Sequence, residues 1–182
     1  MTRRATVARA SVARIVIALL AVSLSVGSVV AQTKQQVSVK IPLQDLKFGV
    51  HQSIEVGDVP NHIVRVFELH YAVPNNGAPL INGIRLKEVW QRGTADISDG
   101  VGTTSSYFSY HMENGDKFFV RNEAIIQRAA AGKIASMGIG HIFGGTGRLE
   151  SIQGNTRNAT TFDPKAGVAD EAELDIEYSM GK

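Results

Sequence analysis

The sequence predicts an all-β protein: a closed, eight-stranded antiparallel barrel that follows a cleaved N-terminal signal peptide. Three observations point there. Beyond residue 32, no long stretch repeats apolar residues at helical spacing. Short runs rich in Val, Ile, Tyr, Phe and Thr recur instead, split by Gly, Asn, Asp and Pro, the pattern of a sandwich or a barrel. Between two aromatic runs, Asn114-Gly115 supplies the strongest short hairpin signal. Closing a sheet removes its exposed edges and leaves an interior that eight strands fill or share with one small ligand, which favours the barrel.

The N-terminal segment is set apart by composition. Arg3, Arg4, Arg9 and Arg14 form a basic start without an acid, and an apolar run with small residues continues to Ala31. A basic segment, an apolar segment and the small residues Val29 and Ala31 describe a secretory signal cleaved after Ala31. A membrane anchor is the competing reading, but the run is shorter than the ~20 residues a spanning helix needs. Removing residues 1–31 takes four arginines and moves the formal charge from +2 to −2. The basic balance therefore belongs to the export signal and not to a nucleic-acid surface. Residues 32–182 have the size of one domain with a core of its own. The chain has no cysteine, which excludes disulfides, thiolate nucleophiles and thiolate metal sites. A secreted or periplasmic bacterial location fits such a chain. The sequon Asn158-Ala159-Thr160 reads as a chance match.

Eight candidate strands follow, at residues 36–41, 62–73, 83–91, 103–112, 117–125, 133–143, 156–162 and 171–180. A two-residue loop at Asn114-Gly115 sets Glu113 opposite Asp116. It also places Tyr110 opposite Phe119 and Phe108 opposite Arg121 on one face. That face carries Phe108, Tyr110, Met112 and Phe119 and is the predicted interior, with Arg121 its one charged member. Residues 74–83 read as a loop.

The glycine-rich stretch "FGGTGRLESIQGN" at 143–155 lacks the lysine of a phosphate-binding P-loop and the glycine offset and long helix of a dinucleotide turn. A structural corner fits better. The preceding strand carries Met137, Ile139, His141 and Phe143 on one side and Gly138 and Gly140 on the other. Gly144, Gly145 and Gly147 then let the chain turn, and Gly154 resets it into the next strand. Leu149 and Ile152 are expected to plug one end of the barrel.

The segments "NGDKFFVR" at 114–121, "GGTGRLESIQG" at 144–154, "ELDIEYSM" at 173–180 and "VGDVPNH" at 56–62 resemble the barrel family of plant allene oxide cyclases and dirigent proteins, with their secreted bacterial relatives. The resemblance implies an eight-stranded antiparallel barrel with a lipophilic interior, often trimeric in the plant members. It also implies substrate-shaping chemistry: a carboxylate and bound water in the cyclases, acids and arginines in the dirigent proteins. No acid of this sequence is carried over from either set.

The expected ligand-binding residues are Phe108, Tyr110, Phe119, Arg121 and His141, with the glycines as structural turns. Arg121 is the residue that would meet an anionic group; a rim position with its head in water is the alternative. His141 points inward if its strand face does. Glu68 and His70 share a strand face as a candidate paired base. Asp58 and His62 fall at a barrel mouth, or in a turn capped by the aspartate. None of the five histidines has metal-ligand spacing, no cofactor is implied, and no G-x-S-x-G occurs. The preferred function is binding a small hydrophobic molecule in the barrel. A cyclase or isomerase acting on a reactive apolar substrate is the runner-up, and an assembly module without ligand is the third reading. A homo-oligomer is the expected assembly.

Overall fold

The structure is a computed structural model that describes residues 33–43, 46–163 and 168–181. The signal-peptide segment lies outside the described residues. Ten strands are present among them. They are β1 Gln35–Pro42, β2 Lys47–Glu55, β3 His62–Ala72, β4 Leu80–Ile81, β5 Ile84–Ser98, β6 Val101–Met112, β7 Lys117–Arg128, β8 Ile134–Gly145, β9 Ile152–Asp163 and β10 Val168–Met180. Single 3-10 turns at Ala130–Gly132 and Gly147–Leu149 are the only helical pieces described.

The strands form one antiparallel sheet in the order β1-β10-β9-β8-β7-β6-β5-β3-β2, with β4 paired to β5. Ile41 and Leu43, beside one edge, share a single core with Tyr71 and Val73, beside the other. The sheet therefore curls around its own inner face like a barrel.

The barrel is not closed, and the expected count of eight strands is corrected to ten. No ladder joins β1 to β2 among the described residues; β1 pairs with β10 and β2 with β3. Both edges are blunted in another way. Four residues of β2, from Phe48 to His51, face three of β3, from Leu69 to Phe67, so a bulge twists that edge. On β1, Pro42 has no N–H and Lys40 puts a charge at the edge. Sequence reading missed β2 because KFGVHQSIE is exposed along its whole length and so carries no buried, alternating face. It also cut β5 short. Asp99-Gly100, with φ of 49° and 77°, is a two-residue turn that joins β5 directly to β6.

The hairpin between β6 and β7 corrects a second expectation. Met112 O accepts from Gly115 N–H at 3.0 Å, and Met112 N–H donates to Asp116 O at 2.8 Å. The loop thus holds three residues, with Gly115 at φ 90° completing it. One extra loop residue shifts the register by one: Tyr110 pairs with Phe118 and Phe108 with Val120. Such a shift moves every side chain of β7 to the other face. Phe118 and Val120 are buried inside, and Phe119 and Arg121 face out.

The glycine corner joins β8 to β9 through the Gly147–Leu149 turn. It is tied to the same hairpin. Thr146 N–H donates to Lys117 O at 2.8 Å, and Thr146 Oγ1 accepts from Lys117 N–H at 2.9 Å. The Asp116 carboxylate accepts from Arg148 N–H at 3.1 Å and from Asn114 Nδ2 at 2.7 Å. Leu149 and Ile152 enter the core beside Leu86, Met112 and Ile142.

Candidate functional site

The register arranges inward-facing residues in rows across the sheet. One row, Phe108–Val120–Ile142 with Gln91 at its β5 end, forms an apolar floor from Phe108 onward, continuous with the stacked pair Tyr110 and Phe118, whose ring centroids lie 4.4 Å apart. The next row reads Phe67–Gly93–Ser106–Asn122–Gly140–Thr156–Ile176–Val37. The row beyond it reads Arg65–Ala95–Thr104–Ala124–Gly138–Asn158–Leu174–Val39. Alternation thus places a belt of amides and hydroxyls directly against an aromatic floor.

Ser106, Asn122 and Thr156 are 0%, 1% and 1% exposed. Gln91 Nε2 donates to Ser106 Oγ at 3.1 Å, and Asn158 Nδ2 donates to Asn122 Oδ1 at 2.7 Å. Asn122 Nδ2 and Thr156 Oγ1 are buried and meet no hydrogen-bonding partner. A buried polar atom left unpaired costs about 1–3 kcal/mol, so two on one wall are a feature that the fold carries at a loss. Glycines make room for them. A Cβ on Gly138 would come within 2.8 Å of Asn122 Nδ2, and one on Gly140 would collide with Thr156 Oγ1. Beyond the belt, inward positions such as Arg65, Thr104, Ser136 and Thr160 are half-buried, so solvent reaches the interior there.

The sequence-predicted site residues divide between the two faces. Phe108 and Tyr110 are inside, within the packed core. Phe119, Arg121 and His141 are brought together outside, where Arg121 pairs across to both Tyr107 and His141. His141 faces out because Gly138, Gly140 and Ile142 take the inner side of β8. Arg121 Nε stands 3.7 Å from Glu123 Oε1 with its side chain mostly exposed, the solvent-facing alternative. The sequence reading missed Asn122, Thr156 and Asn158. Their signal was the inward alternation of β7 and β9, which the shifted hairpin register concealed. Asn158 points inward onto Asn122, so its sequon is closed to a glycan.

The outer face carries a second constellation and an apolar patch. Glu88 accepts from both His70 Nε2 at 3.0 Å and His111 Nδ1 at 3.1 Å. Burial works to raise the Glu88 pKa, but hydrogen bonds from His70 and Trp90 outweigh it and the net shift is downward. His111 is lowered, first by burial and then by Lys117. His70 stacks on Trp90 at 4.1 Å, and the Arg92 guanidinium lies 4.9 Å from the Trp90 ring centroid with Nε on Glu68 at 2.6 Å. The expected Glu68–His70 pair is thus replaced by two cross-strand pairs. No metal-holding cluster is found among the described residues. On β6–β8, Tyr107, Ile125, Met137, Ile139 and Phe143 are exposed apolar residues of one face, with Ile139 67% accessible. A groove of about 610 Å³ runs along it, between Glu123 and Arg157.

Asp58 and His62 sit in the β2–β3 turn. Asp58 Oδ1 caps Val59 N–H at 2.7 Å and meets His62 Nδ1 at 2.6 Å, while His62 Nε2 meets Asp96 Oδ1 at 2.8 Å.

No protein-family model matches this chain, and no curated protein matches it. Among solved structures, it is similar to that of the pterocarpan synthase dirigent protein GePTS1, at 13% identity, covering 82% of this chain and 90% of that chain with a TM-score of 0.46.

Proposed function

We propose that residues 32–182 form an exported β-protein that binds a small, largely apolar molecule inside its curled sheet. One observation carries this reading: inward positions beyond a sealed aromatic floor are half-buried, so the interior is reachable on one side of the polar belt. Apolar walls with a few convergent polar groups are what small-molecule sites are built from. The belt consists of amides and hydroxyls, which orient a ligand without moving a proton at neutral pH, and so favours binding over turnover.

The test uses the neutral fluorescent probe Nile red and native mass spectrometry of protein purified from its host. Ala124 is buried and faces inward, so Ala124→Phe is expected to abolish probe binding, while Ile139→Lys on the outer face leaves interior binding in place. Retained apolar mass in the host-purified protein supports the reading. Protein without added mass that also fails to bind the probe refutes it.

The outer patch favours a second copy of the chain as its cover. Ile139 lies between Glu123 and Arg157 in one cross-strand row, so the patch is complementary to itself. Light scattering on a sizing column reads the copy number; a strict monomer at micromolar concentration refutes this assembly.

A further inference from the structure

The belt specifies more than an apolar guest. Asn122 Oδ1 accepts from Asn158 Nδ2, and Asn122 Nδ2 is left as a buried donor without a partner. Thr156 Oγ1 is a second unpaired group, a hydroxyl able to donate or accept. Asn122 leans over Gly138 and Thr156 over Gly140. These glycines are two residues apart on one face of β8, a spacing of about 7 Å, so both free atoms border the same stretch of wall. The groups around them are neutral: Ser106 and Gln91 are bonded to each other, and Val120, Ile142, Ala124 and Ile176 are apolar. An ionised ligand group there would lose its hydration without a counter-charge, a far larger cost than leaving an amide unpaired. The inward cation Arg65 stands three strands away in the next row and donates Nε to Ser53 Oγ at 3.0 Å.

We infer that the interior site selects a neutral molecule bearing an acceptor oxygen, of the ketone, aldehyde or ether class, and seats that oxygen on Asn122 Nδ2 and Thr156 Oγ1. The inference rests on the interior-binding reading above. It makes a distinction that shape alone does not make, because a site built to hydrogen-bond an oxygen discriminates against an analogue lacking it.

The test compares three chain-matched probes, 2-nonanone, nonane and nonanoate, by protein-observed NMR titration of the folded chain. The ketone is expected to bind about tenfold more tightly than the hydrocarbon, the value of one net hydrogen bond. Nonanoate is expected to bind more weakly than the ketone at pH 7. Thr156→Val keeps the side-chain shape, breaks no existing hydrogen bond, and should reduce the ketone's advantage several-fold while leaving nonane affinity unchanged. Asn122→Leu should abolish the advantage; if that variant does not fold, Thr156→Val still decides. Equal binding of ketone and hydrocarbon, a ketone preference untouched in both variants, or preferential binding of nonanoate each overturns the inference while sparing interior binding. Failure of all three probes to bind overturns the interior-binding reading itself.

Discussion

Asn158 reaches across β8 to donate to Asn122 Oδ1 at 2.7 Å, above the position where Gly138 has no side chain. This one hydrogen bond satisfies half of the Asn122 amide and leaves the other half unpaired. Asn158→Ala would remove the donor and leave both ends of a 1%-exposed amide without a partner, a loss of about 1–3 kcal/mol. Thr156→Val acts in the opposite direction. It deletes a buried hydroxyl that has no partner, and should stabilise the free protein by about 1 kcal/mol. Urea unfolding of both variants reads the two signs; the same sign in both would show that the belt is not the source.

The corner predicts a separable pair of effects. Gly147 has φ 54° and Gly115 φ 90°, so alanine at either costs about 1–2 kcal/mol in backbone strain. At Gly115 the added methyl meets open space, whereas at Gly147 it would collide with the Asp116 carboxylate. That carboxylate holds Arg148 N–H and Asn114 Nδ2, so displacing it unties the corner from the hairpin. Gly147→Ala should therefore lower the unfolding midpoint well beyond Gly115→Ala. Equal shifts would remove Asp116 from this role.

His62 predicts a pH dependence of the β2–β3 turn. Hydrogen bonds that it donates to Asp96 and then to Asp58 hold its imidazolium and raise its pKa, while accepting that bond from His62 lowers the pKa of Asp58. A raised folded pKa gives stability that is fully present below about 6.5, the unfolded value, and fades as pH rises through the folded value. The lowered Asp58 adds stability present above about 3.9, lost as pH falls through its folded value. The turn at residues 56–61 should be anchored best between these limits. Histidine-detected NMR titration should place His62 above 6.5, and Asp96→Asn should bring it down. A titration at or below 6.5 in the parent chain would contradict the arrangement.

The all-β class was readable because strands leave period-two patterns wherever one face is buried, as β6, β7 and β10 show. Strand β2 has no buried face and left no pattern. The glycine corner was readable because a turn must satisfy local geometry, and its glycines do so within a few residues of chain. The candidate site was not readable, for a reason of register. One additional residue in the Asn114-Gly115 loop exchanged Phe119 and Arg121 for Phe118 and Val120, and brought Asn122 inward. Nothing local to that hairpin distinguishes a two-residue from a three-residue loop; burial of Phe118 and Val120 across the whole core decides it. Closure was misjudged for a related reason, since a bulge at Phe48 and the Pro42 terminus protect the edges without pairing them.

The outer face gives the last prediction. Ile125 pairs with Met137, two residues from Ile139 on the same face of β8, and past the Arg121–His141 pair Phe143 is edge-on to Tyr107 at 6.2 Å. Exposed apolar patches on folded domains are enriched at interfaces, which is the basis of the proposed assembly. Glu123, Ile139, Arg157 and Asp175 occupy successive strands of one row. A twofold axis through Ile139, parallel to the strands, would set Glu123 of one copy against Arg157 of the other, and the reverse. The apolar centre would supply the association energy and the charges its register. Ile139→Arg should therefore yield a monomer by light scattering. Glu123→Arg should weaken association by placing two arginines together, and adding Arg157→Glu should restore it, because the swapped pair has the same complementarity. Association that survives Ile139→Arg would exclude this face, and a charge swap without recovery would exclude this twofold arrangement in favour of another packing of the same patch.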